Sequence, residues 1–202
     1  MSRKKVIGIL SVFLVIFALT GCGTGDEKRD NNDQTEVSSG SEQEEQIIVQ
    51  EVSEGDLAPD FTAQTADGST FVLSEQKGKV VLLNFWATWC GPCVREMPAF
   101  EKLNQEYGEE VAILAVDAME DKDTVDQFIS DNGYTFPIAY DVEGAVCTKY
   151  PSDGIPYTLV IGKDGTVQNI YLGARDADAQ YEEYKGGIEA ALEKDGEQAE
   201  DK

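Results

Sequence analysis

An apolar run interrupted only by Asn84, Val80-Val81-Leu82-Leu83-Asn84-Phe85-Trp86, ends four positions before Cys90 of Cys90-Gly91-Pro92-Cys93, and a helical pattern with Leu103 and Tyr107 follows. No other feature constrains the fold as tightly. A short run of this kind, bounded by turn residues, reads as a buried strand. Cys90 then stands at a strand-to-helix junction, where unpaired N–H groups and the positive end of the helix dipole face its sulfur. A thiolate there is stabilised, and the thiolate is the reactive form. Cys93, one turn inside the helix, is the natural resolving thiol. The two cysteines can close a small disulfide ring and open it again, and strand, motif and helix together form a redox signal. Two other readings fit the spacing. A zinc site needs four ligands, but the chain has no histidine and only Cys147 besides Cys22 in the leader. A static structural disulfide is the second.

The first residues read as a targeting segment rather than part of the fold. Arg3, Lys4 and Lys5 form a basic start, and Val6 to Leu19 form an apolar stretch. That stretch is short for a membrane span, which needs about 20 residues, and it fits a secretory signal peptide over residues 1–21. Leu19-Thr20-Gly21-Cys22 resembles a bacterial lipobox, which implies lipid attachment at Cys22. An uncleaved N-terminal anchor with Cys22 incidental is the other reading. Residues 22–46 are polar and acidic, cannot bury enough surface to order themselves, and read as a disordered tether. Such a segment has a root-mean-square reach of roughly 25–30 Å. Residues 47–193 form one domain large enough for a core, and 194–202 form a polar tail. The formal net charge of −23 argues against nucleic acid, whose phosphates need a basic face, and against electrostatic attraction to anionic lipid.

Within the domain, Phe61–Gln64 and Thr70–Leu73 flank Asp67-Gly68, and Tyr157–Ile161 and Val167–Tyr171 flank Lys163-Asp164-Gly165. Both pairs read as hairpins. Val80–Phe85 and Val111–Val116 read as buried strands, and Ile138–Tyr140 as a short one. The active-site helix runs to about Tyr107. Asp121–Ser130 reads as a helix with Val125, Phe128 and Ile129 inward, Gly144–Lys149 as a helical turn or two, and Asp176–Leu192 as a closing helix. Strands alternating with helices, then a terminal hairpin, imply an α/β fold with a mixed central sheet and helices on both faces.

The segment Asn84-Phe85-Trp86-Ala87-Thr88-Trp89-Cys90-Gly91-Pro92-Cys93 resembles the active-site segment of thioredoxin-like proteins. Asn84 with Glu96 points to the TlpA/ResA-like branch of extracytoplasmic thiol–disulfide oxidoreductases. The resemblance spans roughly residues 55–193. It takes in Ala58-Pro59-Asp60-Phe61, the helix-kinking Pro98, and Gly154-Ile155-Pro156, which matches the family's cis-proline loop. It implies a thioredoxin-like fold with an N-terminal β-hairpin extension. It implies a membrane-tethered enzyme, lipid-anchored outside the cytoplasm, that reduces protein disulfides through Cys90 and Cys93 and needs no cofactor and no metal. Its electrons would come from a membrane thiol carrier of the CcdA-like type, and it is expected to be a monomer.

Site residues follow from the same resemblance. Glu96, three residues beyond Cys93, would take the Cys93 proton; as a bland alternative it is an acid favoured by the helix start. Asn84 stands where thioredoxin itself carries a buried aspartate, and it cannot take a proton; otherwise it is a satisfied core amide. Gly91 and Pro92 shape the turn between the sulfurs. Pro156 would be cis, and Ile155 would offer backbone groups to a substrate. Trp86 reads as core and Trp89 as an exposed docking surface, while Cys147 reads as a buried free thiol behaving as a small hydrophobe. Ala58-Pro59-Asp60-Phe61 also opens peroxiredoxins, so a thiol peroxidase is the alternative activity. Peroxiredoxins, however, carry a threonine where this chain has Ala87. A non-enzymatic binding module with a static Cys90–Cys93 bridge is the third reading.

Overall fold

A computed structural model describes residues 51–200 of the protein. The expected signal peptide over 1–21, the expected lipidation at Cys22, the expected tether and the start of the expected domain lie outside the described residues. In chain order the elements are β1 (Thr62–Thr65), β2 (Thr70–Val72), β3 (Val80–Trp86), α1 (Gly91–Tyr107), β4 (Val111–Ala118), α2 (Lys122–Asn132), β5 (Ile138–Asp141), β6 (Tyr157–Ile161), β7 (Val167–Leu172) and α3 (Ala177–Glu200). Two short 3-10 helices, Leu73–Gln76 and Cys147–Lys149, sit in connections. No helix among the described residues is long and apolar enough to cross a membrane.

The strands form one seven-stranded sheet in the order β2-β1-β5-β4-β3-β6-β7. The β3/β4 and β4/β5 pairs are parallel, and the remaining pairs are antiparallel. β3 lies inside the sheet, and all seven of its residues are buried. That burial explains why its sequence is apolar but for Asn84 rather than alternating. Both predicted hairpins are present and close alike. Gly68 N–H bonds to the Thr65 carbonyl at 3.0 Å, and Gly165 N–H to the Gly162 carbonyl at 2.9 Å. Each glycine has positive φ, +86° and +87°, so each turn ends in the left-handed residue of a three-residue hairpin loop.

Side chains alternate across β3. Val80, Leu82 and Trp86 join one buried cluster with Met97, Phe100 and Leu103 of α1, Val125 of α2, and Tyr184 and Ile188 of α3. Val81, Leu83 and Phe85 join the other, with Val52, Phe61, Leu73, Val146 and Tyr150. The three α-helices therefore cover one face. The opposite face is closed by the N-terminal segment and the residues of the two 3-10 helices. The cause is topological. From β3 through β4 to β5 the chain steps in one direction across parallel strands, and right-handed crossovers then place α1 and α2 on the same side. Helices do occupy both faces, but the second face carries only 3-10 turns.

The element ends have local causes. Asp121 caps α2 by accepting from Thr124 N–H at 3.0 Å, the preferred role of a short acid at that position. Pro98 lies inside α1 on its exposed side, where the missing N–H meets water rather than core. The 3-10 helix at Leu73–Gln76 has no counterpart in the sequence reading. The helical turn expected at 144–149 tightens to Cys147–Lys149. α3 runs past Leu192 to Glu200, where the good helix formers Glu, Lys, Ala and Gln outnumber Asp195 and Gly196.

Candidate active site

Cys90 and Cys93 are joined in a disulfide, their Cα atoms 5.2 Å apart. Cys90 is the N-cap of α1, and its sulfur accepts from Cys93 N–H at 3.3 Å. The junction drawn from the apolar run is thus the junction observed. Cys93 is fully buried and Cys90 retains 5% exposure, so an incoming sulfur can approach only Cys90. Gly91 and Pro92 are both exposed, and Pro92 stands in the first helical turn, where a missing N–H is harmless.

The Ile155–Pro156 peptide bond is cis. β6 runs antiparallel to β3 with Tyr157 opposite Phe85, so the residues before Tyr157 lie beside those after Phe85. This register brings the Ile155 carbonyl oxygen to 3.7 Å from the Cys90 sulfur. Trp86 is buried and packs on Phe128, ring centroids 5.1 Å apart. Trp89 is 71% exposed. It borders an apolar groove of about 530 Å³ lined by Phe85, Met119, Tyr150 and Ile155.

Glu96 lies one turn below Cys93 on α1 and is fully buried. A solvated helix-start acid would not be. Its Oε1 accepts from the Asn84 amide at 3.0 Å, and its Oε2 accepts from the Tyr184 hydroxyl at 2.9 Å. The Asn84 amide also donates to Thr158 Oγ1 at 2.8 Å, and Thr158 and Tyr184 hydroxyls meet at 3.0 Å. The four side chains close a ring beneath the disulfide. Burial pushes the Glu96 carboxyl up to about 8, and the bonds from Tyr184 and Asn84 only partly oppose it. Asn84 donates both its bonds while its Oδ1 has no partner. It is an amide spent on orienting Glu96. Tyr184 and Thr158 did not emerge from sequence. They lie 88 residues from Glu96 and 74 from Asn84, and no local pattern marks such a contact.

A second polar group flanks the motif. Glu120, between β4 and α2, accepts from Thr88 N–H and Thr88 O–H, both at 2.6 Å. Asp117, fully buried at the end of β4, accepts from Glu120 N–H at 3.0 Å. Burial, with the Glu120 carboxyl beside it, pushes the Asp117 carboxyl up. Cys147 is a free thiol, half-buried. Burial, then the Asp141 carboxylate, pushes it up to about 12, which leaves almost no thiolate at neutral pH.

Residues 55–170 match the AhpC/TSA family model. The chain is 42% identical over 125 residues to the thioredoxin-like protein YneN of Bacillus subtilis, covering 60% of this chain and 73% of that one. It is 43% identical over 129 residues to the thiol-disulfide oxidoreductase ResA of Oceanobacillus iheyensis, covering 61% and 67%. Among solved structures, a putative thiol:disulfide interchange protein DsbE from Chlorobium tepidum superposes with a TM-score of 0.64 at 32% identity, covering 70% of this chain and 99% of that one. The chain belongs to the AhpC/TSA family and is a thiol–disulfide oxidoreductase with a thioredoxin-like fold, of the kind its ResA relatives represent.

Proposed function

We propose that this oxidoreductase is a protein disulfide reductase, tethered to the membrane outside the cytoplasm, that cycles Cys90 and Cys93 between dithiol and disulfide. The observation that carries the reading is the unequal placement of the two sulfurs at the head of α1. Cys90 caps the helix at the surface, and Cys93 is sealed beneath it. In the reduced enzyme the Cys90 thiolate attacks one sulfur of a client disulfide, and the other leaves as a thiolate that takes a proton. Cys93 gives its proton to Glu96 in those molecules whose carboxyl, held at about 8, is ionised, then attacks the Cys90 sulfur and expels the second client thiol. Two electrons pass to the client, and Cys90–Cys93 is left oxidised. Trp89 and the Ile155 backbone would receive the client, with Gly91, Pro92 and Pro156 shaping the approach. Gly-Pro between the cysteines resembles thioredoxin, whose potential lies near −270 mV, and this favours reduction.

Renewal of the dithiol would need a membrane thiol carrier of the CcdA-like type. The basic, apolar and lipobox succession ending at Cys22 supports export and a lipid anchor, with residues 22–46 as the tether and 47–193 as a monomeric domain. Mixed-disulfide trapping tests the proposal. A Cys93→Ser chain should accumulate a covalent adduct at Cys90 that dithiothreitol releases and mass spectrometry identifies. Adducts forming instead through Cys93 in a Cys90→Ser chain would reverse the assignment. The AhpC/TSA match keeps thiol peroxidase as a second reading. Against it, the position before the motif held by a threonine in peroxiredoxins is Ala87, fully buried and without a donor. Peroxide turnover by the purified protein decides between them.

A further inference from the structure

We propose that Glu120 is a positioning residue for disulfide exchange, acting through Thr88 to hold the Trp89 docking surface in place. The inference rests on the protein-disulfide reading of Cys90 and Cys93. Trp89 is 71% exposed, and an exposed ring can serve as a docking surface only if its backbone is fixed. The preceding residue supplies that fixation. Both donors of Thr88 go to one carboxylate, N–H to Oε2 and O–H to Oε1, each at 2.6 Å. This fork fixes direction as well as distance, and charge-assisted bonds of such length are the strong ones. Among the described residues no lysine or arginine pairs with Glu120; Thr88 supplies both donors to its carboxylate, with the buried Asp117 carboxyl beside it. The turn is held at its other end by Cys90 N–H bonding to the Ala87 carbonyl at 3.1 Å.

Glu120 is itself aimed. Met119 just before it adopts φ +65°, a left-handed conformation that a residue with a side chain keeps only when its surroundings demand it. The Glu120 N–H is then tied to the buried Asp117 carboxyl at 3.0 Å. Asp117 stands opposite Trp86 in the β3/β4 register. The clamp therefore references the docking loop to the sheet.

Steady-state reduction of insulin with dithiothreitol as reductant, beside reduction of the small disulfide DTNB, tests the clamp. Thr88→Val keeps the shape and loses the hydroxyl donor, Thr88→Ser keeps the donor, and Glu120→Gln can no longer accept both bonds. Thr88→Val and Glu120→Gln should each raise KM for insulin by about three- to tenfold, the span of an ordinary net hydrogen-bond contribution, with kcat falling less than about twofold. Thr88→Ser should restore KM. The double variant should be no worse than Glu120→Gln alone, because both changes break one clamp. A fall in kcat at constant KM, additive losses, or a Thr88→Ser chain as impaired as Thr88→Val would overturn the inference. If Glu120→Gln does not fold, the Thr88 pair decides by itself. Wild-type protein that reduces DTNB but not insulin would instead overturn the protein-disulfide reading.

Discussion

Glu96 was visible in the sequence as a carboxyl one turn beyond Cys93, but its condition was not. Its condition depends on Tyr184 of α3, which bonds it, and on Thr158 of β6, which bonds Tyr184 and Asn84. Asn84 was likewise visible as a departure from thioredoxin, while its use as a donor to Glu96 needed the packed sheet. A carboxyl held at about 8 by burial carries a proton in the folded state where the unfolded chain has lost it. Stability from this group is complete below the unfolded value near 4.5 and declines as pH rises toward 8, since the folded state then binds more protons than the unfolded one. Asp117 adds in the same direction, so the contribution of Glu96 must be read as a difference. Urea unfolding of wild type and Glu96→Gln between pH 5 and 8.5 should show the wild type losing more stability with rising pH; parallel curves would place the Glu96 carboxyl near its ordinary value. Tyr184→Phe removes the hydroxyl that lowers the Glu96 carboxyl and leaves Glu96 Oε2 and Thr158 short of a partner. It should destabilise by about 1–3 kcal/mol, the usual effect of an unsatisfied buried polar group. A carbon-13 carboxyl titration should show Glu96 moving upward.

Elements were the most legible scale, because β3, β4 and α1 are long and their patterns are strong. The strand at 80–85 and the helix ending near Tyr107 stand within a residue of those expected. The 3-10 helix at Leu73–Gln76 was not legible, since only Leu73 in it is buried and one apolar residue makes no period. Nor did sequence reveal how closely α3 approaches the sheet. A Cβ on Gly187 would stand 3.3 Å from Val160 Cγ2 and 3.2 Å from Asn169 Oδ1, and would press harder still on the Tyr171 hydroxyl. The bare backbone lets α3 lie against β6 and β7, and that contact carries Tyr184 to Glu96. Gly187→Ala gains about 1 kcal/mol of intrinsic helix preference but overpacks the interface at about 1–3 kcal/mol. The net expectation is a modest loss of stability in chemical denaturation, with the Tyr184–Glu96 bond lengthened. Gly186→Ala, whose Cβ would meet nothing within 4 Å, should show only the gain.

The whole molecule was legible in class but not in arrangement. Alternating strands and helices imply a mixed sheet, yet nothing in one sequence states that β5 joins beyond β4 rather than beside β6. That choice sets which face receives α2. Charge is different, because it is summed from the sequence without knowing any contact. Thirty-nine acidic residues oppose sixteen basic ones, and only three ion pairs are found among the described residues. Screening decides how far this matters. A domain of this size has a radius of gyration of roughly 15 Å, whereas the Debye length is about 30 Å at 0.01 M salt and about 8 Å at 0.15 M. At low salt every surface carboxylate repels the whole set, and at the higher salt it feels only its neighbours. Folding concentrates the charge, so the repulsion acts mainly against the compact state. Raising sodium chloride from 0.01 to 0.15 M at pH 8 should therefore raise Tm. The rise should be larger at pH 8 than at pH 5, where part of the acid surface and both raised carboxyls hold protons. Scanning calorimetry at the two pH values measures it directly. A Tm independent of salt at pH 8 would mean that the acidic surface is already compensated within the fold.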